Sequence, residues 1–305
     1  MVVEHSQKKL KPPTKRSKRK ETTGNEHWSF TIFAIVLSSV FLLYPIFYSI
    51  YLSLQSMQGL NSTFVGIGNY IRMFQDPVFR LALFNNFIFL IFQVPIMLTL
   101  GLILAFILNS PSLKGRSFFR IALFLPSVTS LVSYAVLFRM MFQVNGVVND
   151  FLMTIGILDS PLNWLNSTFW ARVMIIVALC WRWTGYNMIF YLTGLQNICQ
   201  DTLEAAQMDG ATPTQTLFRV VIPQLKPVIL FTSITSTIGT LQLFDEVVNL
   251  TGGGPSNATL TAAQLIYNHS FVYTSNFGYS ATLSWALVVI VGILSVIQIK
   301  VSNRE

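Results

Sequence analysis

Six long apolar runs constrain this chain more than any other feature: 28–54, 81–108, 118–142, 169–195, 228–250 and 281–301. Each exceeds the ~20 residues that an α-helix, rising ~1.5 Å per residue, needs to cross the ~30 Å hydrocarbon layer of a bilayer. Runs of that length and number cannot all be buried in one aqueous core, so lipid is the expected solvent. Composition agrees, with 52% hydrophobic residues and only 10% charged, against about 25% charged in soluble domains. In lipid every backbone N–H and C=O must be paired inside the protein, and helices do this segment by segment. The chain therefore reads as an all-α polytopic membrane protein with six transmembrane helices. The first run follows a basic stretch, as a secretory signal would. Its apolar part outruns the ~7–15 residues of a signal core, and no small-residue cleavage site follows, so it is expected to stay as an anchor.

The formal charge of +8 is concentrated at one end. Eight of the twenty Lys and Arg residues are Lys8, Lys9, Lys11, Lys15, Arg16, Lys18, Arg19 and Lys20. A basic tail directly before an apolar span fits retention at the cytoplasmic side and contact with anionic lipid, and no nucleic-acid partner is expected. With the N-terminus inside, Lys114, Arg116 and Arg120 follow the second span, Arg219 and Lys226 the fourth, and Lys300 and Arg304 the sixth. All then lie on the cytoplasmic side of a plasma membrane, with both termini inside, while 143–168 and 251–280 carry no Lys or Arg and 55–80 carries only Arg72 and Arg80. Arg139 and Arg172 sit at outer span ends and run mildly against the bias. The expected division is a tail at 1–27, a first span at 28–54, and a five-helix core at 81–301.

Polar and helix-breaking residues fall inside the spans. Pro45, Pro95 and Pro126 interrupt the first three, and Asn85, Asn86, Gln93 and Thr99 occur in or near the second. Such residues need internal partners, which a bundle around a polar passage supplies and a plain anchor does not require. The segments 143–168 and 251–280, rich in Gly, Pro, Asn and Ser, read as solvent-facing loops. Much chemistry is missing. No Gly-x-x-x-x-Gly-Lys-Ser/Thr phosphate cradle occurs, His5, His27 and His269 are too scattered for a metal site, and no nucleophile, base and orienter set appears. Cys180 and Cys199 read as packing residues. The chain is thus expected to be a transport subunit, not an enzyme, with no bound cofactor.

The loop between the fourth and fifth spans, 196–227, is too long for a turn. Leu203 and Ala206, then Leu217, Val220 and Val221, have helical spacing; Gly210 can end one helix in the left-handed conformation, and Thr212 with Pro213 can cap and start another. Two short helices are expected, with a small smooth Ala205–Ala206 face beside the Glu204 carboxylate. An amphipathic interfacial loop that merely ties two spans together is the plainer alternative.

This loop resembles the hallmark of the membrane subunits of binding-protein-dependent ABC importers: Glu-Ala-Ala, three residues, Gly, nine residues, Ile, one residue, Leu-Pro. Here stand Glu204-Ala205-Ala206, Gly210, Val220, Ile222 and Pro223 at that spacing, with conservative Val and Ile replacements. Asp209-Gly210-Ala211, Phe244-Asp245, Leu250 to Thr259 with its Gly-Gly-Gly-Pro, and Phe277-Gly278-Tyr279-Ser280-Ala281 look like the carbohydrate-uptake branch, of the maltose- or glycerol-phosphate-permease type. The resemblance covers about 81–301, and this chain has no large inserted outer domain. It implies the type I ABC importer transmembrane fold. It also implies a second homologous permease subunit, an ATPase dimer carrying the ATP-Mg, and an extracellular solute-binding protein. Glu204, Ala205, Ala206, Asp209 and Gly210 would then form the contact to the ATPase, with Glu204 bonding an Arg in its groove.

Arg182 falls at mid-span, where an exposed charge costs about 2.5–3.5 kcal/mol on insertion scales, so it must face protein or water. Trp181, Trp183, Tyr186 and Asn187 surround it, and rings beside hydrogen-bonding groups suit a sugar. The resemblance puts substrate contacts near Leu179, Trp183 and Tyr186 on the fourth span and Gly239, Thr240, Gln242 and Leu243 on the fifth. Arg182 and Asp245 join these as candidate lining. Against this stand a structural ion pair between Arg182 and Asp245 or Glu246, and a close helix contact at Gly239. A sugar or oligosaccharide importer working by alternating access is the expected function. Its alternatives are an importer of a glycerol phosphodiester, amino-sugar conjugate or peptide, and a stand-alone channel or membrane enzyme.

Overall fold

The computed structural model describes residues 25–58, 61–110 and 112–302. The basic tail from Lys8 to Lys20, and Arg304 at the other end, lie outside them. The chain divides into a unit ending at Tyr48 and a unit starting at Ser49. In the first, α1 (Asn25–Ser38) runs through a π-helical turn, Ser39–Leu43, into α2 (Tyr44–Ser53). Pro45 has no N–H to give the carbonyl four residues back, and the widened turn absorbs that missing bond. Phe30, Phe33, Phe41 and Phe47 are exposed, as suits a helix solvated by lipid.

The second unit begins with a short antiparallel hairpin, β1 (Gln55–Gln58) and β2 (Asn61–Phe64), in register Gln55 to Phe64. The all-helical expectation missed it, because four-residue polar strands leave no hydropathy signal. Then come α3 (Gly68–Gln75), α4 (Pro77–Asn109), α5 (Arg116–Val128), α6 (Leu131–Met141), α7 (Val147–Thr154), α8 (Thr168–Gln196), α9 (Gln200–Met208), α10 (Pro213–Thr216), α11 (Ile222–Leu241), α12 (Asp245–Leu250), α13 (Ala262–Tyr267) and α14 (Phe277–Ser302). Among the described residues, the helices long and apolar enough to cross a membrane number five, or six when α5 and α6 count as one bent span.

That bent span is the expected third span over 118–142, broken shortly after Pro126. α5 and α6 meet at 98°, with Thr129 and Ser130 extended between them. Hydroxyls take up the carbonyls freed at the end of α5: Ser127 Oγ donates to Phe124 O and Thr129 Oγ1 to Pro126 O, each at 2.7 Å.

The fifth span is also displaced from its expected place at 228–250. It is one helix over Pro213–Leu241, formed by α10, a π turn at Leu217–Val221, and α11. Thr212 starts it with a reciprocal capping box, accepting from Gln215 N while the Gln215 side chain accepts from Thr212 N. The π turn lies just before Pro223, whose absent N–H would have reached Arg219, so the helix continues through a stretch that was expected to be loop up to residue 227. The helix ends at Gln242, and α12 is a separate turn and a half.

α4 and α8 share the longest packed seam. α8 also approaches α5 at Gly185, where any Cβ would run into the Leu123 carbonyl, so only glycine permits that contact. Ala105, Met188, Tyr191, Leu192, Val221 and Leu225 form one buried cluster at the crossing of α4, α8 and the fifth span. A second joins Phe89, Tyr134, Met174, Ala178 and Val247.

The segment 251–280 is not the solvent-facing loop expected from its composition. Ala258, Leu260, Ala262 and Leu265 are buried with Tyr279 and Leu283 against α4. Two fully buried amides on α4 hold it. Asn85 Nδ2 donates to Asn257 O (2.9 Å) and Leu260 O (2.8 Å), and its Oδ1 accepts from Arg172 Nη2 (2.9 Å), while Arg172 Nε donates to Ala258 O (2.8 Å). Asn86 Nδ2 donates to Leu241 O (3.0 Å) and Thr240 O (3.2 Å), and its Oδ1 accepts from Ala262 N (2.9 Å). The amides expected to find partners in a bundle thus bind the irregular backbone of a segment folded into it.

Candidate functional site

Leu179, Trp183 and Tyr186 recur along α8 at four- and three-residue intervals, which puts them on one helix face. That face, the Gly239–Thr240 end of α11, Gln93 and Met97 of α4, and the backbone from Gln242 to Glu246 enclose a cavity of about 370 Å³. Its size lies at the low end of small-ligand sites, about 300–1,000 Å³.

The walls combine rings with hydrogen-bonding groups. The Trp183 and Tyr186 rings meet edge to face at 5.6 Å, and Tyr186 continues the aromatic row to Phe190 at 5.1 Å. Trp183 Nε1 donates to Glu246 Oε1 at 3.3 Å, tying the indole to the first turn of α12. Thr240 Oγ1 lies 2.9 Å from Gln93 Oε1 and 2.8 Å from Ser236 O, two acceptors for a single hydroxyl proton. Asn187 Nδ2 donates back to Trp183 O at 3.0 Å. Gln242 and Asp245 are exposed, whereas Glu246 is buried.

Of the nine residues expected along a passage, the structure gathers eight around this cavity: Leu179, Trp183, Tyr186, Gly239, Thr240, Gln242, Leu243 and Asp245. Gly239 is not a close helix contact, since a Cβ there would meet no atom within 4 Å. Arg182 is the residue that does not join them. It is 6% exposed and donates through Nη1 to Thr129 O at 3.1 Å, with its guanidinium over the rings of Tyr134 (5.1 Å) and Trp183 (5.4 Å). It caps the backbone exposed by the break between α5 and α6, and its hydrogen bonds go to Thr129 rather than to Asp245 or Glu246. Gln93, Met97, Leu131, Thr235, Ser236 and Phe244 also line the cavity, and the sequence reading did not select them. The polar Gln93 in an apolar run was the one usable signal.

The 196–227 loop carries the other expected site. α9 is rooted by Leu203 and Ile198, which pack on the cluster around Leu192, Leu195 and Val221. Glu204, Ala205 and Asp209 remain exposed and Ala206 is half-buried. Gly210 is left-handed, at φ +77°, and Ala211 N donates to Ala206 O at 3.0 Å, the six-to-one bond of a Schellman cap. The expected second short helix is instead the first turns of the fifth span, so the knuckle is one short helix joined by a tight turn to a membrane-crossing rod.

A polytopic helical bundle with a cavity lined by rings and hydrogen-bonding groups, and a capped knuckle between two spans, defines the class, a multi-pass membrane permease of the type I importer fold. Residues 97–301 match the model of the family described as "Binding-protein-dependent transport system inner membrane component", and the chain belongs to that family. It is 52% identical over 287 residues to the lactose transport system permease protein LacF of Rhizobium radiobacter, covering 93% of this chain and 96% of that one. It is 32% identical over 277 residues to the arabinooligosaccharides transport system permease protein AraP of Bacillus subtilis (strain 168), covering 90% and 87%. Its fold is that of a chain in the crystal structure of a bacterial alginate ABC transporter in complex with alginate pentasaccharide-bound periplasmic protein. The TM-score is 0.81 at 22% identity, over 92% of this chain and 95% of that one.

Proposed function

We propose that this chain is a permease subunit of an ATP-driven importer that carries a sugar or short oligosaccharide inward by alternating access. The observation that carries the reading is the cavity: two aromatic rings set edge to face among amides and hydroxyls, at the junction of three spans. Rings match the apolar faces of a pyranose, and neutral hydrogen-bonding groups match its hydroxyl rim. The relatives named for lactose and arabinooligosaccharide transport support the same class of solute.

The partners in this proposal are a second homologous permease completing the passage, an ATPase dimer, and an extracellular solute-binding protein. ATP-Mg is bound by the ATPase; this chain binds no cofactor and hydrolyses nothing. The exposed face of Glu204, Ala205 and Asp209 seats on the ATPase, and the Gly210 turn passes its motion to the fifth span. The knuckle and both termini then lie on the cytoplasmic side of the plasma membrane, the orientation that the Lys and Arg bias favours.

The test is reconstitution of the complete importer in vesicles, with labelled lactose as the first solute. Accumulation should require both ATP and the receptor, and uptake to equilibrium in the absence of both would mark a channel. Tyr186→Ala and Gln242→Ala should each cut uptake about tenfold or more, in the range expected when a buried contact to ligand is lost, while the ATPase still co-purifies. Unchanged uptake in both variants would remove the cavity from the passage.

A further inference from the structure

The cavity has a sign. Its hydrogen-bonding walls are neutral: Gln93, Asn187, Thr235, Ser236, Thr240 and Gln242. Among the described residues, the charged side chains that line it are Asp245 and Glu246, both carboxylates on the first turn of α12. The nearby cation, Arg182, is not part of the lining: it gives its Nη1 to Thr129 O and lies over the Tyr134 and Trp183 rings, where its charge offsets part of that of Glu246. Glu246 is also fixed, because it is 6% exposed and one of its oxygens holds the Trp183 indole N–H. One of the two rings that line the cavity is thus tied to an acidic group.

From this we propose that Asp245 and Glu246 are specificity-determining residues that admit neutral saccharides and reject anionic ones such as uronates and phosphorylated glycerol derivatives. The inference rests on the reading of the cavity as a sugar passage. A carboxylate or phosphate on the solute would stand beside like charge in a space partly shielded from water, where such repulsion is much stronger than in bulk. A neutral sugar meets no such penalty, and its hydroxyls can donate to the same carboxylates in charge-assisted bonds. The same cavity therefore favours the sugar over its charged analogue at both ends of the comparison.

The experiment measures direct binding to the purified permease–ATPase complex without the receptor, so that receptor selectivity does not enter. The probes are lactose and the same disaccharide bearing a C6 carboxylate on its galactose ring. Lactose should bind at least about tenfold more tightly than the carboxylated sugar, a gap of one decade in affinity. Asp245→Asn with Glu246→Gln should narrow the gap to about threefold or less, by raising affinity for the acidic sugar. Equal binding of both sugars to the unaltered complex, or an unchanged gap in the double variant, overturns the charge filter and leaves the sugar passage standing. Failure of lactose to bind overturns the passage itself, and the filter with it.

Discussion

Two connections between spans make the sharpest contrast in this molecule. The loop after α8 is charged and exposed, and its short helix touches the bundle mainly through Leu203 and Ile198. The segment after α11 is glycine-rich and looks looser by composition, yet Ala258, Leu260 and Ala262 are buried, Asn85 and Arg172 donate to its carbonyls, and Asn86 accepts from Ala262 N. Composition describes what a segment lacks, such as helix formers, and says little about what covers it. What distinguishes the two is the supply of buried donors nearby. Irregular backbone can enter a membrane bundle only where such donors exist, and Asn85, Asn86 and Arg172 provide them.

The contrast predicts that damage to the clamped region costs stability and damage to the exposed knuckle costs coupling. The largest effect is expected at Gly185→Val, where the new side chain collides with the Leu123 carbonyl. Overpacking there should remove about 3 kcal/mol or more, read as loss of folded protein after detergent extraction. Asn86→Leu strips donors from Thr240 and Leu241 and an acceptor from Ala262. It should cost about 2–3 kcal/mol, seen as a lowered Tm; an unchanged Tm would mean that the segment is not clamped as described. Gly210→Ala forces a Cβ into the left-handed region and should cost about 1 kcal/mol, with a measurable loss of uptake. Glu204→Ala should change stability by at most about 1 kcal/mol, as for other exposed charges, while ATP-driven uptake falls by about tenfold or more, the loss expected for a charge-assisted contact. A large Tm drop at Glu204 with normal uptake would invert the comparison.

Much of the architecture was legible because lipid imposes one rule on every span, and hydropathy reports it directly. The knuckle was legible for a local reason: Gly210 and Thr212 specify a stop and a start within three residues, and both occur as expected. The faults lie where tertiary partners override local signals. Pro126 marks trouble in the third span, but the 98° turn falls three residues later, at Thr129, where Arg182 can cap the opened backbone. Pro223 suggests a boundary, yet a π turn carries the helix through it. Arg182 shows the limit for the site. Its depth in the span is readable from its number, but the side of α8 from which it leaves depends on a break in another helix. Leu179, Trp183 and Tyr186 were named by the resemblance to the importer family, and their four- and three-residue spacing sets them on one face of α8.

The uninterrupted helix Pro213–Leu241 links these regions in a way that neither shows alone. At ~1.5 Å per residue it is a rod about 40 Å long, beginning at the Thr212 cap beside the knuckle and ending where Gly239 and Thr240 wall the cavity. A stiff strut fixed at both ends needs no relay of side-chain rearrangements. A tilt imposed at its foot would arrive at its head as displacement of the chamber wall, less whatever the π turn and Pro227 inside α11 absorb.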